Sequence, residues 1–531
     1  MSLIDFIILL IYLAAMMAIG FFTGKGNKTQ EDYFLGGRSM PWIPVALSVA
    51  ATMISANSFI GGPGWAYTDG IQPFMQNITV PLACFFAISI TVPMFYHLKV
   101  SSVYEYMEQR MGGGWPRNLV VIQHFINSLI QVSSMVFVPA LIIQTITGWA
   151  LEVVVPIIVL CAIIYTIAGG IKAVIWTDAI QMIVLWGGMI IILITAVQST
   201  GLSFTDTVAQ AAAAGKYDAF LFTSDFTVTN GFLASCCGIF MWTRYFCFDQ
   251  CQMQRVLTSK SMLGIKRSFL SSAVLMNIMY FFMLFVGTIF FVTYGGKEFA
   301  SVNEIMIGFI LNELPVGIVG VVIAAVFAAA MSSVDSLLNS MTTVFTKDIY
   351  EKYFAKEKGQ PSSLKQTMLI TSILGVVIIF VVILGFGGTV KSVLDVVGGY
   401  VSYFAGPGLG AFVLAMFTKK ANDKGTFFGF LVGFVAGYII ATTYHTSWLI
   451  NPAIGGIITI VAGYILSFVF KPSIDESKVE PYTAMGLRRE LLRSGKGHEE
   501  GVSIYPFNMD KYAVAMLILF FGQYVLLAII R

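Results

Sequence analysis

The chain has 531 residues, of which 57% are hydrophobic and only 11% are charged, and its mean hydropathy is +0.82. This number of charged side chains is too small to cover the surface of a water-soluble protein of this length. The composition therefore excludes a soluble fold. The net charge of +3, with no dense Lys/Arg tract interleaved with aromatic residues, gives no reason to expect nucleic acid as a partner.

Apolar stretches of about 20 residues recur along the chain, and this is the length that an α-helix needs to cross roughly 30 Å of hydrocarbon. They predict an all-α integral membrane fold embedded in the lipid bilayer, with about 14 transmembrane helices. The predicted helices are centred near residues 12, 53, 86, 132, 160, 186, 239, 281, 323, 377, 404, 435, 460 and 521.

The cations are distributed unevenly between the two sides of this arrangement. With the N-terminus outside, 26 of the 31 Lys and Arg residues fall on the cytoplasmic side, Arg255 among them. Because Lys and Arg in short loops are retained on that side, both termini are predicted to be external. No basic segment precedes the first apolar run, so residues 2–23 are predicted to form a helix and not a signal peptide. The expected location is the plasma membrane, with the chain crossing it many times.

The second apolar run is interrupted by hydroxyl and amide side chains, and a Gly-Gly-Pro-Gly sequence follows them at 61–64. Proline removes a backbone donor and glycine leaves helical geometry at low cost, so a broken helix is predicted here. Carbonyl groups at such a break can coordinate an ion. The alternative is a plain kink near one membrane face. The interrupting side chains are Thr52, Ser55, Asn57 and Ser58.

Three charged residues lie at the ends of later spans. Asp178 stands at the start of a long apolar span, where it either caps the helix or belongs to a polar site. Arg244 and Asp249 flank the span from Gly231 to Phe248. A cation near a helix break either meets an anionic group of a substrate or forms a structural ion pair.

A polar stripe runs along a later apolar span. Ser332, Asp335, Ser336 and Asn339 lie at helical spacing, with Ser333 beside them. An ionisable side chain in a bilayer costs several kcal/mol unless it faces a partner or a wet cavity, which favours a functional role for Asp335. Hydroxyls beside a carboxylate suit a small hard cation. The alternative is that the small residues permit close helix packing.

Catalytic constellations are missing from the sequence. The four histidines are scattered, and no Gly-x-Ser-x-Gly elbow, Walker lysine motif or dinucleotide fingerprint occurs. The chain is therefore predicted not to be an enzyme, and the sequence disfavours an ATP-driven pump.

Four segments resemble the sodium:solute symporter family, which includes sodium/galactose, sodium/sialic acid, proline, pantothenate and iodide cotransporters. They are Glu31 to Arg38, Gly169 to Asp178, Gln252 to Arg255, and Ala328 to Tyr350, and the similarity extends over roughly residues 1 to 470. The resemblance implies a core of two inverted five-helix repeats.

The family pattern further implies one transporter domain with a broken first and sixth core helix, at Pro41 to Tyr67 and Gly231 to Phe248. It divides the chain into an extra N-terminal helix (2–23), a first core repeat (41–199), a second core repeat (230–417) and peripheral C-terminal helices (425–531).

The resemblance also implies a main Na⁺ site. Its five oxygens are backbone carbonyls of Ala51, Ile54 and Ala329, and hydroxyls of Ser332 and Ser333.

A second ion site that some members have would fall on Asp178, Ser332 and Ser336. Asp335 stands where those members have a hydroxyl. This departure leaves open whether Asp335 strengthens an ion site, binds a proton or braces a loop.

Substrate positions match the family less closely. In sugar carriers, hydroxyl groups of the substrate are held at positions that correspond to Ser58, Gln76 and Asn77. Gln131 falls near the position that carries an arginine in sialic acid carriers, which weakens the sialic acid interpretation. The aromatic residue that closes the sugar site corresponds to Tyr245, with Trp242 nearby. Other segments resemble carriers of monocarboxylates, vitamins and iodide, so an anionic solute stays open.

The predicted function is that of a secondary symporter, which couples inward Na⁺ flux to uptake of a small polar organic solute by alternating access. The solute would be a sugar, or a sugar acid or other carboxylate, and a monomer would suffice. One alternative is a proton-coupled carrier that uses Asp178 or Asp335. Another is sodium-coupled uptake of an amino acid or vitamin. A sensor or channel would need a signalling domain or a ring of pore-lining residues, for which the chain has no room.

Overall fold

Helices account for nearly all regular structure in the computed structural model, which describes residues 2–299, 301–355, 361–385 and 393–531. A helix satisfies its backbone hydrogen bonds within the segment, which a membrane interior requires. The strands found in the described ranges are β1 (His498–Glu499) and β2 (Val502–Ser503), which form one short antiparallel hairpin. The all-α prediction is confirmed.

The first half of the chain forms twelve α-helices. They are α1 (Leu3–Gly24), α2 (Gln30–Leu35), α3 (Trp42–Met53), α4 (Ala56–Asp69), α5 (Val80–Phe86), α6 (Val92–Leu98), α7 (Glu105–Met111), α8 (Gly114–Thr147), α9 (Leu151–Ser199), α10 (Phe204–Ala213), α11 (Phe232–Phe248) and α12 (Gln250–Val256).

Nine more α-helices follow in the described part of the second half. They are α13 (Met262–Thr293), α14 (Val302–Asn312), α15 (Ile318–Val344), α16 (Leu364–Gly385), α17 (Val393–Phe417), α18 (Asp423–Tyr444), α19 (Asn451–Leu466), α20 (Ala484–Arg493) and α21 (Lys511–Ile530). Short 3₁₀ turns occur at Gly36–Arg38, Gln72–Asn77, Glu476–Lys478 and Glu480–Tyr482, and π-helical turns at Ala87–Thr91 and Phe345–Phe354.

Within the described ranges, ten helical segments are long and apolar enough to cross a membrane, and α3 with α4 makes an eleventh as a bent pair. The helices α11, α14 and α19 are apolar but shorter. The two spans predicted near residues 160 and 186 are the two halves of α9, which are separated by a break at Gly170, where the backbone is not helical (φ 56°, ψ −149°). The number of 14 crossings stays a prediction.

The first broken helix has its break earlier than the Gly-Gly-Pro-Gly sequence suggested. The axes of α3 and α4 differ by 60°, and the chain leaves helical geometry at Ile54 (φ −92°, ψ 90°). Pro63 lies inside α4. Gly64 serves close packing, because a Cβ there would lie 2.1 Å from the carbonyl oxygen of Val302. The break was predicted correctly, but its cause was not.

The second broken helix is interrupted just beyond the range that the family pattern implied. Helix α11 is continuous to Phe248, and the extended residue Asp249 (φ −90°, ψ 128°) separates it from α12. The Asp249 side chain accepts a hydrogen bond from the Cys251 N–H at 2.9 Å, as an N-cap does. The break therefore carries its own helix cap.

Helix α15 lies at the centre of the bundle and packs against α1, α3, α8 and α9. Nearly all of its residues are buried, including the polar stripe. The carboxylate of Asp5 in α1 accepts hydrogen bonds from the N–H groups of Gly317 and Gly320, at 2.7 and 2.9 Å. The N-terminal helix thus satisfies two donors at the start of α15, which are left unpaired within any helix.

Candidate functional site

The predicted main Na⁺ residues come together where α15 passes the break between α3 and α4. The Ser332 hydroxyl donates to the carbonyl oxygens of Ala51 at 3.4 Å and Ala329 at 3.3 Å. The Ser333 hydroxyl donates to Ala329 O at 3.1 Å. Ile54 belongs to the same turn, because its N–H donates to Ala51 O at 3.1 Å.

All five of these residues are buried, and the groups that the prediction names are uncharged oxygens. Carbonyls at the end of α3 have no further turn of helix to accept from, so the break leaves them free for another partner. Neutral hard oxygens suit an alkali cation better than a soft metal. The hydroxyls can turn their lone pairs to such a cation while the carbonyls keep their positions.

Asp178 lies on α9, contacts α3 through Ser48, and does not cap a helix. It stands well inside α9, so the capping interpretation is wrong. One carboxylate oxygen, Oδ2, accepts a hydrogen bond from the Ser48 hydroxyl at 2.6 Å and lies 3.5 Å from a guanidinium nitrogen of Arg255. The other, Oδ1, is buried and has no hydrogen-bond partner among the described residues.

Asp335 faces α9 from the central helix and is completely buried. Its Oδ2 accepts hydrogen bonds from the Tyr165 hydroxyl at 2.7 Å and the Thr177 hydroxyl at 3.5 Å. Its Oδ1 accepts one from the Ser336 hydroxyl at 3.1 Å. The Thr177 and Ser336 hydroxyls also donate to backbone carbonyls of Ala173 and Ser332, so the Tyr165 hydroxyl is the firmest of these contacts.

Arg255 is the residue of this region that sequence reasoning missed, because it was grouped with the loop cations. Its side chain is 1% exposed. It donates from Nε to Ser48 Oγ at 3.0 Å, from Nη1 to Cys251 O at 2.5 Å, and from Nη2 to Ser336 Oγ. One guanidinium therefore joins α3, α12 and α15, and its ion pair with Asp178 adds α9.

A cavity of about 200 Å³ opens beside the α3–α4 break. One water needs only about 10–15 Å³ by the same kind of measure, so the space admits a small organic solute. Thr52 and Ile54 belong to its wall, so the cavity adjoins the predicted main Na⁺ site. All six predicted substrate residues line it: Ser58, Gln76, Asn77, Gln131, Trp242 and Tyr245.

Several of these side chains are fixed by hydrogen bonds. The Trp242 indole N–H donates to Gln76 O at 2.8 Å, and the Gln76 amide donates to Asn230 Oδ1 at 2.6 Å. The Tyr245 hydroxyl accepts a hydrogen bond from the Gln252 amide at 2.7 Å. These bonds connect α11 to the segment after α4 and to α12.

Other lining residues were not predicted as substrate contacts. Asn57 and Asn77 each have a buried amide oxygen without a hydrogen-bond partner in the described ranges. Asn277 and Ser134 add two more polar side chains, and many of the remaining residues are methionines and aromatics. Asn57 could have been found from its place in the polar interruption, whereas Asn277 stands alone in an apolar helix and gives no such signal.

Arg244 also lines the cavity, and the alternative of a structural ion pair holds for it. One of its guanidinium nitrogens lies 2.8 Å from Asp249 Oδ2, and both side chains are buried.

Comparisons with known proteins identify the family and the fold of the chain. The sequence model of the sodium:solute symporter family matches residues 33–433. The sodium/sialic acid symporter SiaT of Proteus mirabilis is 30% identical over 499 residues, which make up 90% of this chain and 98% of SiaT. A sodium/glucose cotransporter of Vibrio parahaemolyticus is 28% identical over 457 residues, or 81% of this chain and 83% of the cotransporter.

Two solved structures are similar to the fold. A Na⁺-coupled sialic acid symporter in a substrate-bound outward-open state matches with a TM-score of 0.79 and 28% identity, over 89% of this chain and 99% of its own. Mhp1, a nucleobase-cation-symport-1 family transporter, matches with a TM-score of 0.51 and 12% identity, over 86% of this chain and 99% of its own. At 12% identity the likeness concerns the fold alone.

Proposed function

The chain belongs to the sodium:solute symporter family, and we propose that it couples Na⁺ entry at the Ala51/Ser332 site to uptake of a sugar or sugar acid held in the adjoining cavity. Na⁺-coupled symport by alternating access is the activity of this family, whose members are transporters and not enzymes. The observation that carries the proposal is the shared α3–α4 break, because Ile54 belongs to the cation site and to the cavity wall.

The coupling follows from this shared break. Na⁺ bound by Ala51 O and the hydroxyls of Ser332 and Ser333 would hold α15 against the end of α3. An ion can shift a conformational equilibrium only by as much as it prefers one state. We propose that the preferred state is the one in which the cavity faces outward, with Ser58, Asn77 and Tyr245 placed to meet the solute.

The driving force is sufficient for concentrative uptake. One positive charge entering through about 100 mV gives roughly 2.3 kcal/mol. A tenfold Na⁺ gradient adds about 1.4 kcal/mol, and together they allow accumulation of several-hundred-fold for one ion per solute.

The solute class is inferred from the cavity wall and from the relatives. SiaT is named for sialic acid, and the Vibrio parahaemolyticus protein for glucose. Amide and hydroxyl groups at Ser58, Gln76, Asn77 and Gln131 can bind hydroxyls of a sugar, and the aromatic rings of Trp242 and Tyr245 can pack on its apolar face.

A second cation site is proposed at Asp178, Asp335 and Ser336. Two ionised carboxylates and the Arg255 guanidinium give this cluster a net charge of −1, and the unpartnered Asp178 Oδ1 supplies a free ligand. A buried charge of this kind is compensated by a bound cation or by a proton. If Asp335 is ionised, a second Na⁺ would neutralise the cluster, with the Tyr165 hydroxyl donating to the same carboxylate.

The remaining features of the proposal follow from the sequence pattern. The chain would lie in the plasma membrane with both termini external and would work as a monomer. The domain would comprise an N-terminal helix (2–23), core repeats at 41–199 and 230–417, and peripheral helices at 425–531.

The first test is thermal unfolding of the purified protein with sugars, sugar acids, short carboxylates, amino acids and vitamins, each in NaCl and in choline chloride. A ligand that binds the folded state raises the melting temperature. A shift that requires Na⁺, followed by Na⁺-driven uptake of the same solute into proteoliposomes, supports the proposal. Uptake that follows a pH gradient without Na⁺ would instead establish the proton-coupled alternative.

A further inference from the structure

The substrate cavity contains a cation whose charge is already neutralised. Arg244 is the one Lys, Arg or His residue among the described residues that line the cavity, and no described Asp or Glu lines it. Its guanidinium forms an ion pair with Asp249 at 2.8 Å, with side chains 4% and 7% exposed. Among the described residues Arg244 has no hydrogen bond to another side chain, and it borders the main cavity as well as a small space next to Tyr104 and Gln123.

Asp249 is held in place independently of any solute. It is the extended residue between α11 and α12, and its carboxylate accepts the Cys251 N–H at 2.9 Å as the N-cap of α12. The carboxylate therefore belongs to the helix break and does not move away with the substrate. Asp249 also borders a small space next to Ser333, which adjoins the main cavity at Thr52 and Tyr245.

We propose that Asp249 sets the charge selectivity of the cavity by neutralising Arg244, so that the site takes a solute whose bound group is an uncharged hydroxyl or carbonyl oxygen in preference to a carboxylate. This inference rests on the proposed function, because it takes the cavity to be the transport site.

The physical reason is the cost of removing a carboxylate from water. An unpaired buried guanidinium would offset that cost with a full charge and charge-assisted hydrogen bonds. A guanidinium already paired with Asp249 presents only the dipole of a neutral pair, and the incoming carboxylate would also meet a like charge nearby. A hydroxyl or carbonyl oxygen accepts the same N–H donors and loses much less hydration.

The test replaces Asp249 by Asn, which is also a good N-cap, so that α12 keeps its start while the charge is lost. Asp348→Asn is the matched control, because Asp348 is a buried carboxylate that pairs with Arg117 at 2.7 Å and lies outside the cavity wall. The double variant Arg244→Gln/Asp249→Asn removes both charges and shows whether any new carboxylate binding needs Arg244.

The probes are two matched pairs, glucose with glucuronate and the methyl ester of N-acetylneuraminate with N-acetylneuraminate, measured by thermal unfolding and competition in NaCl. We expect the wild type and Asp348→Asn to prefer the neutral member. In Asp249→Asn the affinity ratio should move toward the carboxylate by about tenfold, and the double variant should lose that gain. An unchanged ratio in Asp249→Asn, or a wild type that already prefers the carboxylate, overturns the proposal.

A second readout needs no substrate. Phenylglyoxal modifies free guanidinium groups, and peptide mass spectrometry locates the adduct. We expect little modification of Arg244 in the wild type and several-fold more in Asp249→Asn. Equal modification in the two proteins would contradict the claim that Asp249 neutralises Arg244. If the wild type shows no Na⁺-dependent uptake of any probe, that result contradicts the proposed function. It leaves the neutralisation of Arg244 by Asp249 untouched, because phenylglyoxal labelling tests the ion pair by itself.

Discussion

Two polar regions lie side by side on α15 and are built from different groups. The proposed main Na⁺ site consists of neutral oxygens of residues such as Ala51, Ser332 and Ser333. The neighbouring cluster contains the buried ionisable side chains of Asp178, Asp335 and Arg255. The first region gains a charge only when a cation arrives, whereas the second holds a guanidinium permanently.

Because of this difference, the neutral site suits reversible ion binding and the charged cluster suits a structural role. A cage of neutral dipoles can bind and release an ion within each transport cycle, since no fixed charge is left unpaired afterwards. A cluster of buried charges cannot lose a member without a large penalty, because an uncompensated charge then stays in a medium of low dielectric constant. We therefore expect substitutions in the charged cluster to affect folding first and substitutions in the neutral site to affect Na⁺ dependence first.

The largest effect is expected for Arg255→Gln. It leaves Asp178 and Asp335 as two buried carboxylates without a cation, which should cost about 3–5 kcal/mol of stability. Thermal unfolding in detergent checks this, with Arg267→Gln as the control, because Arg267 makes only an exposed contact to Tyr512.

The double variant Arg255→Gln/Asp178→Asn returns the cluster to a net charge of −1 and should recover part of the loss. Equal melting temperatures for Arg255→Gln and Arg267→Gln would show that the guanidinium does not hold the helices together.

The next largest effect concerns Na⁺ dependence. Ser332→Ala and Ser333→Ala each remove one oxygen ligand from the main site, and the loss of a bond to a charged partner is typically worth about 1.5–3 kcal/mol. The half-saturating Na⁺ concentration for uptake should rise by about tenfold or more. Ser340→Ala is the control, since Ser340 lies on the same helix but bonds to His124. Unchanged Na⁺ dependence in both variants would remove these serines from the site.

The neutral region could be predicted from sequence because its signals are local. Ser332 and Ser333 are close in the chain, and the polar interruption near Ser55 marks the break. Even here the predicted cause of the break was wrong, because the sequence pattern assigned the break to Pro63 and Gly64. Both residues lie inside α4, where Gly64 permits close contact with Val302 of α14, and only this tertiary contact explains the glycine.

The charged region could be predicted only in part. Asp178 and Asp335 were conspicuous as carboxylates in or beside apolar spans. Arg255 was not, because it follows the end of a span and resembles a loop cation, while its partners Ser48 and Ser336 are 207 and 81 residues away. Burial of an arginine depends on partners distant in sequence, and periodicity carries no information about them.

An intermediate effect is expected for Asp335→Asn. This substitution raises the net charge of the cluster from −1 to 0, so a second cation is no longer needed to neutralise it. The Hill coefficient for Na⁺ should fall from about two to about one, since it cannot exceed the number of coupled sites. Solute affinity at saturating Na⁺ should change little, because Asp335 does not line the cavity.

The measurement is the Na⁺ dependence of uptake in proteoliposomes without a pH gradient. Asp178→Asn is the companion variant, since it removes the free Oδ1 ligand of the same site. A Hill coefficient that stays the same in both variants would restrict Asp335 to bracing α9 against α15. Uptake that becomes independent of pH only in Asp335→Asn would identify a proton as the second cation.

The smallest effect is expected at Thr52, which lies between the two regions. Its hydroxyl donates to Ser48 O at 2.8 Å and lies 3.4 Å from Ser336 Oγ, and the residue also lines the cavity. Thr52→Val keeps the shape and removes one neutral hydrogen bond, worth about 1 kcal/mol, so the half-saturating Na⁺ concentration should change by about two- to fivefold.

A double-mutant cycle measures how much of the change in Na⁺ dependence comes from energetic coupling between the two regions. If Thr52 transmits the state of the charged cluster to the neutral site, Thr52→Val combined with Asp335→Asn should differ from the sum of the single effects by at least about 0.5 kcal/mol. The cycle with Ser340→Ala should be additive, because the Ser340 hydroxyl bonds to His124 and has no hydrogen bond to either region among the described residues. Additivity in both cycles would mean that the two cation sites are linked only through the movement of whole helices.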